Sequence, residues 1–275
     1  MDEIIPVDRA LFRKGNPARV LAGTFSLLRR LRRGRFSLAI DFQGYGETAL
    51  LTWLTRAPER WGVVYHKARG LAYTRGLKLD RRLHPAEANR SMLENCGLKI
   101  GAARNEFVLP PAAEEAARRF FAEQQLKTAK ATLFIQPFTS STHKDWPLAK
   151  FLELAGHWKK TGGQTIFGGG PADRIALEPA RTAGFPVSAG APLLTTGGLM
   201  KLSSLVVGAD TGLLHLAVAM NKRVVMLMNY GGWHKTFPFQ HADWIIAPST
   251  RSPIASIETA RVIEGCEHAR AEANP

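Results

Sequence analysis

Cysteine, acidic side chains and long apolar runs are all scarce in this sequence, and each shortage excludes a class of protein. Cys96 and Cys266 are the only cysteines. They are too few for a disulfide framework, fit no metal-binding spacing, and read as reduced residues of a cytosolic protein. The best apolar stretch, residues 213–228, is interrupted by Asn221, Lys222 and Arg223, so no membrane span is expected. The amino-terminal residues include Asp2, Glu3, Asp8 and Arg9 and hold no apolar core of signal-peptide length. Secretion is therefore not expected, and the localisation reads as cytoplasmic. Tandem repeats and low-complexity segments are also missing.

The shortage of acids matters most. Against 37 lysines and arginines stand 23 aspartates and glutamates, a formal charge of +14, which calls for an anionic partner: nucleic acid, a membrane surface or a phosphorylated substrate. No RNA- or DNA-binding motif is present, so no nucleic-acid partner is expected. The densest basic run is "RRLRRGR", residues 29–35. It closes a segment in which Val20, Leu21, Leu27, Leu28 and Leu31 would share one face of a helix. Such a helix can lie on an anionic leaflet. It can equally cover a sheet, its arginines complementing the helix C-terminus.

What is abundant is alternation. Apolar runs of buried-strand length, such as "FSLAIDF" (36–42), "ATLFIQPF" (131–138), "SLVVGAD" (204–210) and "RVVMLM" (223–228), are separated by helical patterns such as 111–127 and 147–160. Residues 3–7, "EIIPV", also read as a short strand. This order predicts an α/β protein with two parallel-sheet units. A break near 127–131 divides the chain into an N-terminal domain (1–127), a C-terminal domain (128–250) and a terminal helix and tail (251–275).

Ligands of parallel sheets bind beyond the carboxyl ends of strands, so polar residues directly after apolar runs are the ones to weigh. In "SLVVGADTGLLHL", Asp210 leaves a strand and a helix starts at once. The unpaired amides around Thr211 and Gly212 suit a phosphate, Asp210 can accept from sugar hydroxyls, and His215 can donate to a phosphate oxygen. The plainer alternative is that Asp210 or Thr211 only caps the helix. In "IQPFTSSTHKDWP" four hydroxyl residues, Thr139 to Thr142, precede Lys144, either a diphosphate clamp or a solvated polar loop. In "TIFGGGPAD" glycines admit a planar group and Asp173 can hold ribose hydroxyls. In "AIDFQGYGETA" the glycines match a dinucleotide fingerprint only loosely.

These stretches together resemble glycosyltransferase family 9, the heptosyltransferases. "ADTGLLHLA" is similar to that family's aspartate-threonine/serine-glycine-x-x-histidine-leucine-alanine signature, "TSSTHKDWP" to its hydroxyl-rich loop, "GGGPAD" to its glycine-proline-alanine-acid turn, and "LAIDFQG" to its N-domain strand. The resemblance spans roughly residues 36–265. It implies a GT-B fold of two Rossmann-like domains and an inverting, metal-independent transfer without a cofactor. The donor would be a nucleotide-diphosphate sugar, ADP-heptose first among them, and the acceptor an anionic glycolipid such as a lipopolysaccharide core. Carried over, Thr139, Ser140 and Lys144 hold the diphosphate with the amides of Thr211 and Gly212, His215 matches the motif histidine, Asp210 binds the donor sugar, and Asp173 binds the nucleoside, where the family usually has glutamate.

The pattern also departs from the family. The usual opening strand, glycine-aspartate loop, helix and second strand have no counterpart, so the N-terminal Rossmann-like domain is expected to be incomplete, with residues 3–7 loose, paired elsewhere or completed by another chain. The family's general base would sit in that loop. Glu47, where relatives often carry a basic residue, is either a substitute base or a solvated acid in a helix's first turn. The alternative to a working transferase is thus a catalytically impaired nucleotide-sugar-binding relative.

Overall fold

The computed structural model describes residues 3–80, 82–231 and 236–272, with residues 12 and 13 described by their backbone alone. Two compact units divide it, Met1–Ala102 and Ala103–Pro275.

In the first unit a parallel sheet runs β1 (Leu38–Asp41), β2 (Glu59–Val63), β3 (Arg75–Leu77) in that spatial order. Leu38 lies opposite Glu59 and Trp61 opposite Arg75. The helices are α1 (Arg9–Lys14), α2 (Pro17–Arg33), α3 (Gly46–Leu54) and α4 (Pro85–Asn95). Asp8 and Asn16 start the first two by accepting the amides of Ala10 and Ala18, and Pro17 occupies the first helical position, where no amide hydrogen is needed.

Here the sequence expectations need correction. Residues 3–7 form no strand. Pro6 has no amide hydrogen for a ladder, and the segment instead lies along α2, with Glu3 accepting from Arg30 at 2.5 Å and Ile5 and Val7 facing a small cavity shared with Leu11 and Leu27. α2 buries none of its residues, and Leu21 and Phe25 remain 72% and 67% exposed. β3 was unforeseen, because Arg-Gly-Leu offers no apolar run and the strand exists only through its pairing with β2.

The second unit holds α5 (Pro111–Glu123), β4 (Thr132–Gln136), α6 (Leu148–Lys160), β5 (Gln164–Gly169), α7 (Glu178–Thr182), β6 (Val187–Ala189), α8 (Leu193–Leu202), β7 (Leu205–Ala209), α9 (Gly212–Ala219), β8 (Val224–Leu227), β9 (Ile245–Ile246) and α10 (Thr259–Glu272). Its six parallel strands lie in the order β6-β5-β4-β7-β8-β9. Alternate residues of β4 serve opposite faces. Leu133 and Ile135 pack with Phe151, Trp158, Val262 and Cys266, while Phe134 packs with Phe121, Leu199 and Leu214.

The boundary between units therefore precedes α5 rather than following it at 127. Glycine at 198 lets α8 approach α5 so closely that a Cβ there would lie 2.7 Å from the Ala113 carbonyl oxygen. The terminal helix is part of this unit too, since Val262, Cys266 and Ala269 are fully buried in the same core.

The strand order fixes where a ligand can sit. From β4 the chain winds outward through β5 and β6, returns to β7 beside β4, and winds the other way through β8 and β9. The β4–β7 junction, with Gln136 opposite Gly208, is the switch point at which open α/β sheets form a crevice. Among the described residues, no helix is long and apolar enough to cross a membrane.

Candidate functional site

Two loops leave the sheet side by side at this switch point. The one after β4 is tied by its own polar groups. Thr139 gives its amide to Asp145 Oδ1 at 2.8 Å, its hydroxyl donates to the Ser141 carbonyl at 2.8 Å, and that hydroxyl also accepts the Ser141 amide at 3.1 Å. A short 3-10 turn, Thr142–Lys144, follows. Trp146 anchors the loop's far end: it is buried, donates Nε1 to the Ile257 carbonyl at 2.9 Å, and meets Phe151 edge-on at 4.8 Å. These constraints deliver Lys144 to the second loop.

That loop is the end of β7. Glycine at 208 is required there, since a Cβ would lie 2.4 Å from the Gln136 carbonyl oxygen of the paired strand. Asp210 emerges next. Its Oδ2 accepts Lys144 Nζ at 3.0 Å, its Oδ1 pairs with His215 Nε2 at 3.0 Å, and Thr236 Oγ1 approaches Oδ2 at 3.4 Å. The His215 hydrogen bond holds the Asp210 carboxyl below its ordinary value, against the opposing effect of burial and with further help from Lys144. The side chains are partly open to solvent, 38% for Lys144, 18% for Asp210 and 35% for His215.

Thr211 caps α9, accepting the Leu214 amide at 3.4 Å. Gly212 opens the helix, and among the described residues nothing lies within 4 Å of where its Cβ would stand. The first amides of α9 thus lie next to a lysine and a histidine, with open space at Gly212 among the described residues. Partial positive charge at the helix end suits an anion, and the Lys144 ammonium, although paired with the Asp210 carboxylate, has further donors to offer.

Of the sequence-derived candidates, Lys144, Asp210, Thr211, Gly212 and His215 are brought together. Thr139 shapes the loop through its own hydroxyl, and Ser140 is exposed beside it. Asp173 lies in the turn after β5, its Oδ2 accepting the Gly170 amide at 2.7 Å. Glu47 belongs to the other unit, in the first turn of α3, where it is ion-paired with Arg9. The sequence reading did not single out Thr236, whose only signal was its place shortly after an apolar strand. It also missed the role of Asp41, buried at the end of β1. Asp41 Oδ1 accepts the amides of Gln43 and Gly44, and Oδ2 accepts the Tyr73 hydroxyl at 2.7 Å. Burial, then that hydrogen bond, pushes the Tyr73 phenol above its ordinary range. Asp41 thus ties down the loop leading to α3. Among the described residues, no three His, Cys, Asp or Glu side chains are grouped to hold a metal ion.

Comparison with known proteins gives this geometry a context. The model of glycosyltransferase family 9 (heptosyltransferase) matches residues 24–261, most of the chain. The chain belongs to glycosyltransferase family 9. A curated family relative, lipopolysaccharide heptosyltransferase 3 of Escherichia coli, is 25% identical over 228 residues, covering 78% of this chain. The alignment spans 66% of that relative, just under two thirds of its length. Among solved structures, a family 9 glycosyl transferase from Veillonella parvula DSM 2008 superposes with a TM-score of 0.84 at 20% identity, over 94% of this chain and 81% of that one. Escherichia coli heptosyltransferase WaaC, solved with ADP, does so with a TM-score of 0.77 at 18% identity, over 96% and 83%. The fold is the α/β GT-B fold expected from the motifs, with the N-terminal sheet the smaller, three strands against six.

Proposed function

We propose that the chain is a glycosyltransferase of heptosyltransferase type, using ADP-heptose or a close ADP-sugar and an anionic glycolipid acceptor such as a lipopolysaccharide core. The observation that carries this reading is the Lys144–Asp210–His215 cluster at the open amino end of α9, at the switch point of the sheet. The relative solved with ADP lends the nucleotide, and the curated relative lends the lipopolysaccharide acceptor.

In this reading the diphosphate meets Lys144, His215, the hydroxyls of Thr139 and Ser140, and the amides at Thr211 and Gly212. Charge that develops on the departing ADP is stabilised by donors already in position, which lowers the barrier most where water is excluded. Asp210 holds the donor sugar through a hydroxyl, and the free oxygen of Asp173 takes a ribose hydroxyl while the other keeps its turn. The acceptor hydroxyl attacks from the face opposite the leaving phosphate, which inverts the anomeric centre, and gives up its proton as it does so. Transfer proceeds without a metal ion, the lysine and helix amides doing the work of charge neutralisation. The protein works in the cytoplasm, at the anionic inner face of the membrane.

One observation favours a second reading, an impaired relative that binds donor without transferring it: Glu47, the carboxylate available as base, is held by Arg9 on an exposed helix turn. Calorimetric titration with ADP, GDP and UDP tests the donor site, and selective ADP binding is expected. Transfer from ADP-heptose to lipopolysaccharide-core acceptor tests the rest. If Glu47 is the base, Glu47→Gln lowers the turnover by about a hundredfold or more with ADP affinity unchanged. Donor binding with neither transfer nor hydrolysis would replace the first reading with the second.

A further inference from the structure

The N-terminal unit carries a second cationic feature that the donor site does not use. Arg32 at the end of α2, Trp53 and Leu54 at the end of α3, Arg56 and Arg60 line a cavity of about 270 Å³. It lies at the amino end of β2, opposite the end of the sheet from which the loop to Glu47 departs. Among the described residues, three guanidiniums and no carboxylate face it. Arg60 is fixed in place, its Nε donating to the Ala72 carbonyl at 2.9 Å and Nη1 to that of Ala57 at 2.6 Å. The adjacent Glu59 is engaged elsewhere, accepting Trp61 Nε1 at 2.9 Å. Among the described residues, Arg32 and Arg56 have no acidic partner. Arg56 follows α3 with a left-handed backbone, φ 57°. That position ordinarily takes glycine, and glycine there would leave the cavity without its second guanidinium.

Apolar side chains lead to this cavity from both helices. Leu21, Phe25, Leu28 and Arg32 follow one another at helical spacing on α2. Leu50 and Trp53 do the same on α3. Leu21, Phe25, Leu50 and Trp53 are 72%, 67%, 53% and 54% exposed. We infer that this face docks on an anionic lipid leaflet: a lipid phosphate enters the Arg32–Arg56–Arg60 cavity while Phe25, Leu21, Leu50 and Trp53 enter the headgroup boundary. An apolar stripe next to arginines, with an aromatic between them, is the pattern such a boundary accepts. A nucleic acid would leave the apolar stripe in water. A two-fold contact with a second copy would bring the same three arginines to both sides of one interface, with none of the cavity's lining residues acidic to offset them. The inference names the surface for the membrane part of the proposed function and does not depend on sugar transfer.

The test is flotation of the full chain with vesicles of phosphatidylcholine alone and of phosphatidylcholine mixed with phosphatidylglycerol, without nucleotide. Binding to the mixed vesicles only is expected. Losing two charges through Arg32→Gln with Arg56→Gln should weaken it roughly thirtyfold, since each basic residue near such a surface contributes about one kcal/mol. Arg119→Gln with Lys160→Gln, exposed residues of the other unit, removes the same charge and should change it little. Phe25→Ser should also weaken binding with charge unchanged. ADP titration of the Arg32/Arg56 variant should match the parent, which keeps failure of this inference separate from failure of the donor reading. Equal losses in both charge variants, equal binding to both vesicle types, or no vesicle binding would overturn it. So would a dimer that buries Phe25, or glycerol 3-phosphate binding in place of vesicle binding.

Discussion

Replacing Lys144 by alanine removes one of the two basic side chains around Asp210, and the structure bounds what this does to nucleotide binding. A charge-assisted hydrogen bond to a phosphate oxygen contributes about 1.5–3 kcal/mol. Two features pull the net effect toward the low end. The side chain is 38% exposed, so solvent screens it, and in the free protein it already pairs with Asp210 at 3.0 Å. One feature pulls the other way. An ammonium has three donors and can keep Asp210 while taking a phosphate oxygen, so the alanine variant presents an incoming diphosphate with a less neutralised carboxylate. The expected loss is about tenfold in ADP affinity, close to 1.4 kcal/mol. Calorimetric titration with ADP at two ionic strengths reads it, with thermal unfolding as the check that the fold is intact. Lys144→Arg should retain part of the affinity, because charge survives while reach and geometry change. An alanine variant that binds ADP as tightly as the parent would refute the role of Lys144 in the diphosphate site.

Three other changes probe the same unit. Because the Asp210 carboxyl is held below its ordinary value of 3.8, its ionised form contributes stability that is fully present above that value and is lost as pH falls through the lower folded-state value. Asp210→Asn should therefore melt lower than the parent at neutral pH and converge on it in strong acid; a pH-independent gap would contradict the assignment. Gly208→Ala should cost about 1–3 kcal/mol or more through collision with the Gln136 carbonyl, and an unchanged melting temperature would show that the strands can part without penalty. Asp173→Asn keeps an acceptor for the Gly170 amide but loses the charge, so it should leave the unfolding free energy within about 1 kcal/mol of the parent while weakening ADP binding; equal affinities would confine Asp173 to its turn.

How much of this was legible in the sequence depended on whether the information was local. β4, β7 and β8 were readable because strands buried on both faces must be continuous apolar runs, and every residue of each is buried. The loop residues Lys144, Asp210 and His215 were readable because they follow those runs directly. What failed needed knowledge of partners distant in sequence. β3 is a strand only because β2 is beside it. Residues 3–7 carry strand composition but pair with nothing in a sheet. α5 belongs to the second unit because of Gly198, some eighty residues onward. Asp41 could be seen at a strand end, but its Tyr73 partner could not.

The resting geometry also constrains the order of events at the site. Both Asp210 oxygens are engaged, Oδ1 by His215 and Oδ2 by Lys144 and Thr236. A sugar hydroxyl arriving alone must displace one of these charge-assisted or polar contacts and gains about as much as it loses. In the proposed role, a diphosphate at α9 would meet Lys144 and His215 as donors and draw them toward itself, which would release carboxylate oxygen for the sugar. In the proposed role, phosphate and sugar recognition are therefore linked through one carboxylate: the nucleotide end supplies the binding energy, and the sugar is gripped only once that end is seated. Such coupling makes Asp210 a poor site for free sugars and a selective one for sugars delivered on a diphosphate. In that role it would explain why a carboxylate stands beside a diphosphate site.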